Sequence, residues 1–177
     1  MREVLEAIEF ATCASSIGEV VVAHGSRGIR AVFIGDDSAA VLLALRSRFP
    51  LDALTPDQGS CERLLPEVIG LIEAPWKDFT LPVDARGTAF QQQVWQALRE
   101  IPAGSTASYT DIARRIGCAS SVRAVAQACG ANPLAVIVPC HRVVRRDGGL
   151  SGYRWGVERK RELLRRESAW SGSIEPE

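Results

Sequence analysis

The order of apolar and polar positions changes character near the middle of the chain. In the first part, short apolar segments are separated by glycines. Ile8 to Thr12 and Glu19 to Ala23 predict strands, and Gly25-Ser26-Arg27-Gly28 predicts a hairpin turn into a third strand, Ile29 to Ile34. Antiparallel pairing follows from so short a connection. Asp36, Asp37 or Ser38 can cap a helix whose stripe is Val41, Leu42, Leu45 and Phe49, ended by Pro50. A second helix is expected after Ser60, with Leu64, Leu65, Val68, Ile69 and Ile72 on one face, and Pro66 either kinks it or marks its first turn. Ala74 to Arg86, with Pro75 and Pro82, reads as a connection carrying a short strand at Phe79 to Leu81, and the boundary between halves falls near Arg86.

Beyond that boundary the period is helical. Thr88 and Gln91 form a capping box in front of the stripe Phe90, Val94, Ala97, Leu98 and Ile101. Ser108 and Asp111 repeat the pattern ahead of a short helix, Tyr109 to Ile116, closed by Gly117; Ser120 or Ser121 caps the next, Val122 to Ala131. Two short helices so joined predict a helix-turn-helix. The apolar run Leu134 to Val138, stopped by Pro139, predicts a buried strand, and a last helix starts at Val157. Its stripe holds Val157, Lys160, Leu163, Leu164 and Glu167, which leaves Arg161, Arg165 and Arg166 to solvent. The expected fold is therefore α/β of the α+β kind. A small antiparallel sheet with helices occupies 1–86, a mainly helical domain containing the helix-turn-helix occupies 87–167, and 168–177 is a disordered tail.

Composition narrows the class. With 177 residues, 46% of them hydrophobic, the chain can bury a core, and no apolar run approaches the roughly 20 residues of a bilayer span. Acids near Met1 are unlike a signal peptide, so a cytoplasmic location is expected. Five cysteines without close pairs (Cys13, Cys61, Cys118, Cys129, Cys140) argue against a disulfide framework and against a structural zinc site. The net charge of zero hides an asymmetry: residues 1–86 carry 8 Lys+Arg against 13 Asp+Glu, net −5, and residues 87–177 carry 13 against 8, net +5. The second half is the candidate polyanion binder.

Candidate chemistry lies in that half. Cys140 and His141 put a thiol beside an imidazole where an apolar run opens into a polar loop. The thiolate is the nucleophile in cysteine chemistry, and a neighbouring base can generate it, although a free cysteine is more often an inert buried group. Glu167 is an acid on an apolar stripe, where a buried carboxylate needs a partner. The helix from Val122 has little bulk besides Arg123 and Gln127, so its backbone can come very close either to the core or to a nucleic acid. Its buried face is expected to hold Val122, Val125, Ala126 and Cys129. The segment 144–156 combines Arg145 and Arg146 with glycines and with Tyr153 and Trp155, which suits a flat ligand attached to phosphate and equally a long surface loop.

Several of these stretches together resemble the O6-alkylguanine-DNA alkyltransferase family, and in particular its Ada-type branch. They are Arg86-Gly87-Thr88-Ala89-Phe90-Gln91-Gln92-Gln93-Val94-Trp95, Ser108-Tyr109, Val122-Arg123-Ala124-Val125, Asn132, Pro139-Cys140-His141-Arg142-Val143 and Ser151-Gly152-Tyr153-Arg154-Trp155-Gly156. The resemblance is strong over 86–167. In the first half it extends only in outline, to a ribonuclease-H-like domain. It implies that Cys140 takes the alkyl group from O6-alkylguanine, with O4-alkylthymine a second candidate, and keeps it as a thioether, so that each molecule acts once. His141 would draw the thiol proton through a water, since neighbours in an extended segment point to opposite sides, and Glu167 would orient His141. Tyr109 would give the leaving base its proton, and Asn132 would be the hinge between the recognition helix and the active-site segment.

The resemblance further implies that the damaged nucleotide is flipped out of the duplex, with Arg123 filling the gap and Ser108, Tyr109, Ala124 and Gln127 as further DNA-contacting residues. A helix about 10–12 Å across must widen a minor groove of about 6 Å, which explains its small residues. Val143, Tyr153, Arg154 and Trp155 would line the base pocket. Two departures from the family bear on this reading. Gly25 and Arg30 stand where animal relatives have zinc ligands, so no metal is expected, and Trp155 replaces a small residue and is expected to narrow the pocket against bulky groups such as benzyl. No cofactor is implied; the expected partner is double-stranded DNA, met by a monomer away from any membrane. Two other classes compete: a helix-turn-helix regulator in which Cys140 is a sensor or inert, and a Cys-His hydrolase, which would need an oxyanion hole that no motif announces.

Overall fold

The computed structural model describes residues 6–50, 52–57, 59 and 61–171. The three expected strands form as β1 (Ala7–Ser15), β2 (Gly18–Gly25) and β3 (Gly28–Gly35), paired antiparallel in sequence order, with an irregularity at Ala23/His24. A fourth strand escapes the hydrophobic pattern. β4 (Ala53–Pro56) pairs parallel to β1, giving the order β3-β2-β1-β4 and making the sheet mixed. Four residues are too few to show a period, and a terminal proline suits an edge, where its missing N–H is not needed. His24 lies on β2 with its Nε2 3.1 Å from Asp57 Oδ2 and 3.6 Å from Glu9 Oε2.

Helix α1 (Ser38–Arg48) is capped by Asp37, whose Oδ1 accepts from Ala40 N at 2.8 Å. Helix α2 (Cys61–Glu73) begins directly after Ser60, as expected, and carries Pro66 in its interior. Phe79 to Leu81 forms no strand. Instead Ile29 N donates to Pro82 O (3.0 Å) and Asp84 N to Ile29 O (2.9 Å), so the connection is laid along β3. Arg30 is buried there in an ion-pair network: it bonds Glu6, and Arg86 Nη2 reaches Glu6 Oε2 at 2.7 Å and Asp84 Oδ2 at 2.8 Å.

In the second half, α3 (Ala89–Arg99) and α4 (Tyr109–Arg115) open on the two capping boxes legible in the sequence, Thr88/Gln91 and Ser108/Asp111. Gly117, at φ 73°, ends α4 as expected: Cys118 N donates to Ala113 O at 2.8 Å, the Schellman closure that a residue without Cβ permits. Ser121 precedes α5 (Val122–Gly130) but makes no side-chain cap bond. The Trp95 indole of α3 donates to Ala128 O at 2.8 Å, which locks α5 across α3. A two-stranded parallel sheet, β5 (Ala107–Ser108) with β6 (Val143–Val144), joins the start of α4 to the active-site segment. Helix α6 (Val157–Ser171) runs further than expected, so 168–171 are helical rather than tail, and 172–177 lie outside the described residues. Arg166 is not left to solvent: it donates to Ile72 O at 2.7 Å and to Ser16 Oγ at 2.9 Å.

The apolar run Leu134 to Val138 is not a strand, although every residue in it is buried. It folds as successive tight turns. Ile137 N donates to Ala135 O (2.7 Å) around Val136 at φ 60°, and Cys140 N donates to Val138 O (2.8 Å) around Pro139 at φ −79°, ψ 59°, an inverse γ-turn. A β-branched residue in the left-handed region is strained by of order 1–3 kcal/mol, a cost typical of functional segments. The run is instead pinned to the outer edge of β3: Val32 N donates to Pro133 O (2.9 Å), and Ala135 N to Val32 O (3.0 Å). One continuous buried cluster runs from Ile8 through Val94 to Leu163, so both halves share a core.

Candidate active site

Cys140, His141 and Arg142 form a single 3-10 turn rather than the extended segment expected from sequence. That tight turn seats all three side chains in the interior, His141 fully buried and Cys140 6% exposed. Asn132, also fully buried, organises the approach. Its Oδ1 accepts from Leu134 N (2.9 Å), and its Nδ2 donates to Val138 O (2.9 Å), to Leu134 O (3.3 Å) and to Cys140 Sγ (3.2 Å). One amide thus holds the turn and polarises the thiol.

His141 Nε2 lies 2.8 Å from Glu167 Oε1, the pairing that the family resemblance implies. Glu167 is 1% exposed and accepts from Arg142 Nε at 3.0 and 3.1 Å and from Gly104 N at 3.1 Å. Burial pushes its carboxyl upward, but the bonds from His141 and Arg142 outweigh that and hold it below the ordinary range, so it is a carboxylate. Burial holds the His141 imidazole below its usual value despite the pull of Glu167, so it is neutral. With Nε2–H donating to the carboxylate, Nδ1 is the free base; it is buried and has no hydrogen-bond partner among the described residues. Burial pushes the Cys140 thiol up to about 11, while Asn132, Lys160 and Arg154 pull it down. At neutral pH it is a thiol waiting for a base.

A cavity of about 300 Å³ opens on the sulfur, lined by Tyr109, Ala126, Cys129, Gly130, Cys140, Gly152, Tyr153 and Arg154. Tyr153 and Arg154 are where sequence put them. Val143 and Trp155 are not in the wall: both are buried, Val143 on β6, and Trp155 with its ring 5.2 Å from Tyr153 and 6.5 Å from Phe33. Trp155 therefore cannot narrow the cavity directly; it backs Tyr153, whose buried hydroxyl has no hydrogen-bond partner among the described residues. Tyr109, the first residue of α4, points its hydroxyl at Ser151 Oγ, and burial raises its pKa. Ser108 is buried, its Oγ spent in the capping box (3.1 Å from Asp111 N), so it fixes Tyr109 rather than offering a surface.

Helix α5 presents Arg123, Ala126, Gln127 and Gly130 outward, with Ala124 half-buried and Val125, Ala128 and Cys129 inward. Ala126 thus belongs to the outer face, opposite to the face expected. Arg123 makes no hydrogen bond or ion pair among the described residues. Arg114, Arg115, Arg145 and Arg146 are also exposed.

Three residues of the site went unassigned in the sequence. Arg142 fills its donors with Glu167, Ile101 O (2.6 Å) and Pro75 O (2.9 Å). Lys160, 1% exposed, donates to Val143 O at 2.6 Å and lies close enough to both Cys140 and Cys129 to interact with them. Cys129 shares the cavity wall. A signal existed for Lys160, which falls on the same apolar stripe as Glu167.

Residues 89–169 match the family described as 6-O-methylguanine DNA methyltransferase, DNA binding domain. The chain is 46% identical over 130 residues to the inducible methylated-DNA–protein-cysteine methyltransferase of Bacillus subtilis (strain 168), covering 73% of each chain. It belongs to the 6-O-methylguanine DNA methyltransferase family. Within this family it is also 51% identical over 162 residues to the bifunctional transcriptional activator/DNA repair enzyme Ada of Escherichia coli (strain K12), 92% of this chain but 46% of that protein. It spans less than half the length of that relative and of the Ada regulatory protein of Salmonella typhimurium. Among solved members of the family, Mycobacterium tuberculosis OGT in complex with DNA superposes with a TM-score of 0.77 at 36% identity, covering 91% of this chain and 93% of that one. No helix among the described residues is long and apolar enough to cross a membrane.

Proposed function

We propose that this protein repairs duplex DNA by moving an alkyl group, methyl above all, from O6 of guanine to Cys140 Sγ, once per molecule. The observation that carries this reading is the buried thiol beside an imidazole whose other nitrogen is fixed on an ionised carboxylate, with its free Nδ1 left as a base. His141 takes the Cys140 proton through an intervening water. The sulfur then attacks the alkyl carbon in line, the S–C bond forms as the C–O6 bond breaks, and the electron pair leaves on the base. Glu167 stabilises the imidazolium, as in acyl-transfer triads. Tyr109 exchanges Ser151 for the base and supplies its proton. The thioether has no hydrolytic exit, so turnover stops. O4-alkylthymine is a second substrate of the same chemistry.

The sulfur lies inside the protein, so the nucleotide must rotate out of the stack, at a cost of a few kcal/mol. The small outer face of α5 allows close approach to a groove, and unpaired Arg123 takes the vacated position. The protein works as a monomer in the cytoplasm, with residues 87–167 carrying the chemistry. Intact mass after incubation with a duplex containing O6-methylguanine tests the reading: one methylene is gained on the Cys140 peptide, stoichiometrically, and none in Cys140→Ala. An unchanged mass together with tight sequence-specific binding would make the protein a regulator instead.

A further inference from the structure

The reaction above uses one thiol, yet the cavity holds two. Cys129, on the inner side of α5, and Cys140, on the 3-10 turn, line the same 300 Å³ space, and both are buried. They are near enough that a charge on Cys140 raises Cys129, whose thiol burial alone already pushes up, to about 12. The Lys160 ammonium, fixed on Val143 O, acts on both and lowers both. Nothing in the transfer of a methyl group needs the second sulfur.

We infer that Cys129 is an internal trap for bifunctional alkyl groups: when Cys140 accepts a chain with a leaving group on its second carbon, Cys129 closes it into a Cys140–S–CH2–CH2–S–Cys129 bridge. This rests on Cys140 being the alkyl acceptor. The chemistry follows from the adduct. Transfer of a 2-chloroethyl group leaves Cys140 as a β-chloro thioether. Its sulfur displaces the neighbouring chloride: a second S–C bond forms, the C–Cl bond breaks, and chloride leaves, giving a three-membered sulfonium. That ring is an electrophile held in the cavity, and it reacts with the best-placed nucleophile. Cys129 Sγ attacks a ring carbon, the C–S bond to Cys140 opens and returns its pair to that sulfur, and the Cys129 proton passes to solvent, with Lys160 favouring the developing thiolate. Water would give a hydroxyethyl thioether, and a DNA base would give a protein–DNA crosslink. A thiol positioned in the wall outcompetes both through proximity. The added function is protection of the DNA just repaired.

The test uses the full chain with freshly prepared duplex carrying O6-(2-chloroethyl)guanine, read by intact mass and peptide mapping, with an O6-methylguanine duplex in parallel. The expected product gains an ethylene unit, loses two thiol protons and retains no chlorine, and Cys129 and Cys140 peptides are joined. In Cys129→Ser the bridge is absent, and hydroxyethyl thioether and protein–DNA crosslink take its place. Wild-type protein that accepts methyl but yields hydroxyethyl thioether or crosslink without a bridge overturns the trap and leaves the acceptor reading standing. No transfer from either duplex overturns both.

Discussion

Side-chain environment decides what each residue of the site can do. Cys140 needs its pKa of about 11 offset by a base, and neutral His141 is that base. The thiol–imidazole pair keeps one protonation state from above the imidazole's pKa to well below the thiol's. The single-turnover rate should therefore be flat between about pH 7 and 9, whereas a route through spontaneously ionised thiol would rise about tenfold per unit. A steady rise over that interval would remove His141 from the mechanism. Glu167→Gln keeps the shape but takes the negative charge from His141 and from buried Arg142. The rate should fall by about 10² to 10⁴ and stability by about 3–5 kcal/mol, with DNA affinity unchanged; stopped transfer assays and denaturant melts read the two separately. Glu167 was legible because an acid interrupts an apolar stripe. Arg142 was not, because an arginine beside a glycine-rich basic loop looks like one more surface cation until Pro75 O, Ile101 O and Glu167 are brought around it.

Elements set the limits of what sequence could reveal. The capping boxes at Thr88 and Ser108 are local chemistry, a side chain bonding a backbone N–H three residues on, and they form where the residues are read. The run Leu134 to Val138 failed for the opposite reason. Five apolar residues signal burial but not conformation, and here the partner is Asn132, whose one amide satisfies turns that a strand would have paired with neighbours. β4 failed because its pairing with β1 is long-range. Helix α5 gave a mixed result: its smallness was visible, but its outward face is set by Trp95 bonding Ala128 O and so includes Ala126. An outer face whose Arg123 has no hydrogen-bond or ion-pair partner among the described residues predicts a separation of binding from chemistry. Arg123→Ala should slow transfer from duplex O6-methylguanine by at least about tenfold, since flipping costs a few kcal/mol, and leave reaction with free O6-methylguanine base unchanged. Equal losses on both substrates would place Arg123 in the chemistry or the fold.

At the scale of the molecule the two halves are not separable in the way their charge suggests. The edge of β3 holds the segment leading to Cys140 through Val32, and Arg154 of the cavity wall lies 5.0 Å over the Phe33 ring, so the acidic half supports the site of the basic half. Buried charge then links the whole fold to pH. Folding holds His141 below its ordinary value of 6.5, so as pH falls past that value the unfolded chain binds a proton that the folded one refuses, and stability drops. Glu167 and Asp84 are held below their ordinary values; the stability they contribute is present above the unfolded carboxylate range and is lost as pH falls through their folded values. Both effects have the same sign. Unfolding free energy from denaturant titration should be greatest near neutrality, decline once pH passes below about 6.5, and decline further through the carboxylate range. His141 contributes to the first decline, so His141→Gln should flatten the curve between about pH 6.5 and 5 while leaving the lower limb in place. A wild-type curve that stays level down to pH 5 would mean that folded and unfolded chains protonate His141 equally, and would remove the effect of burial on its imidazole.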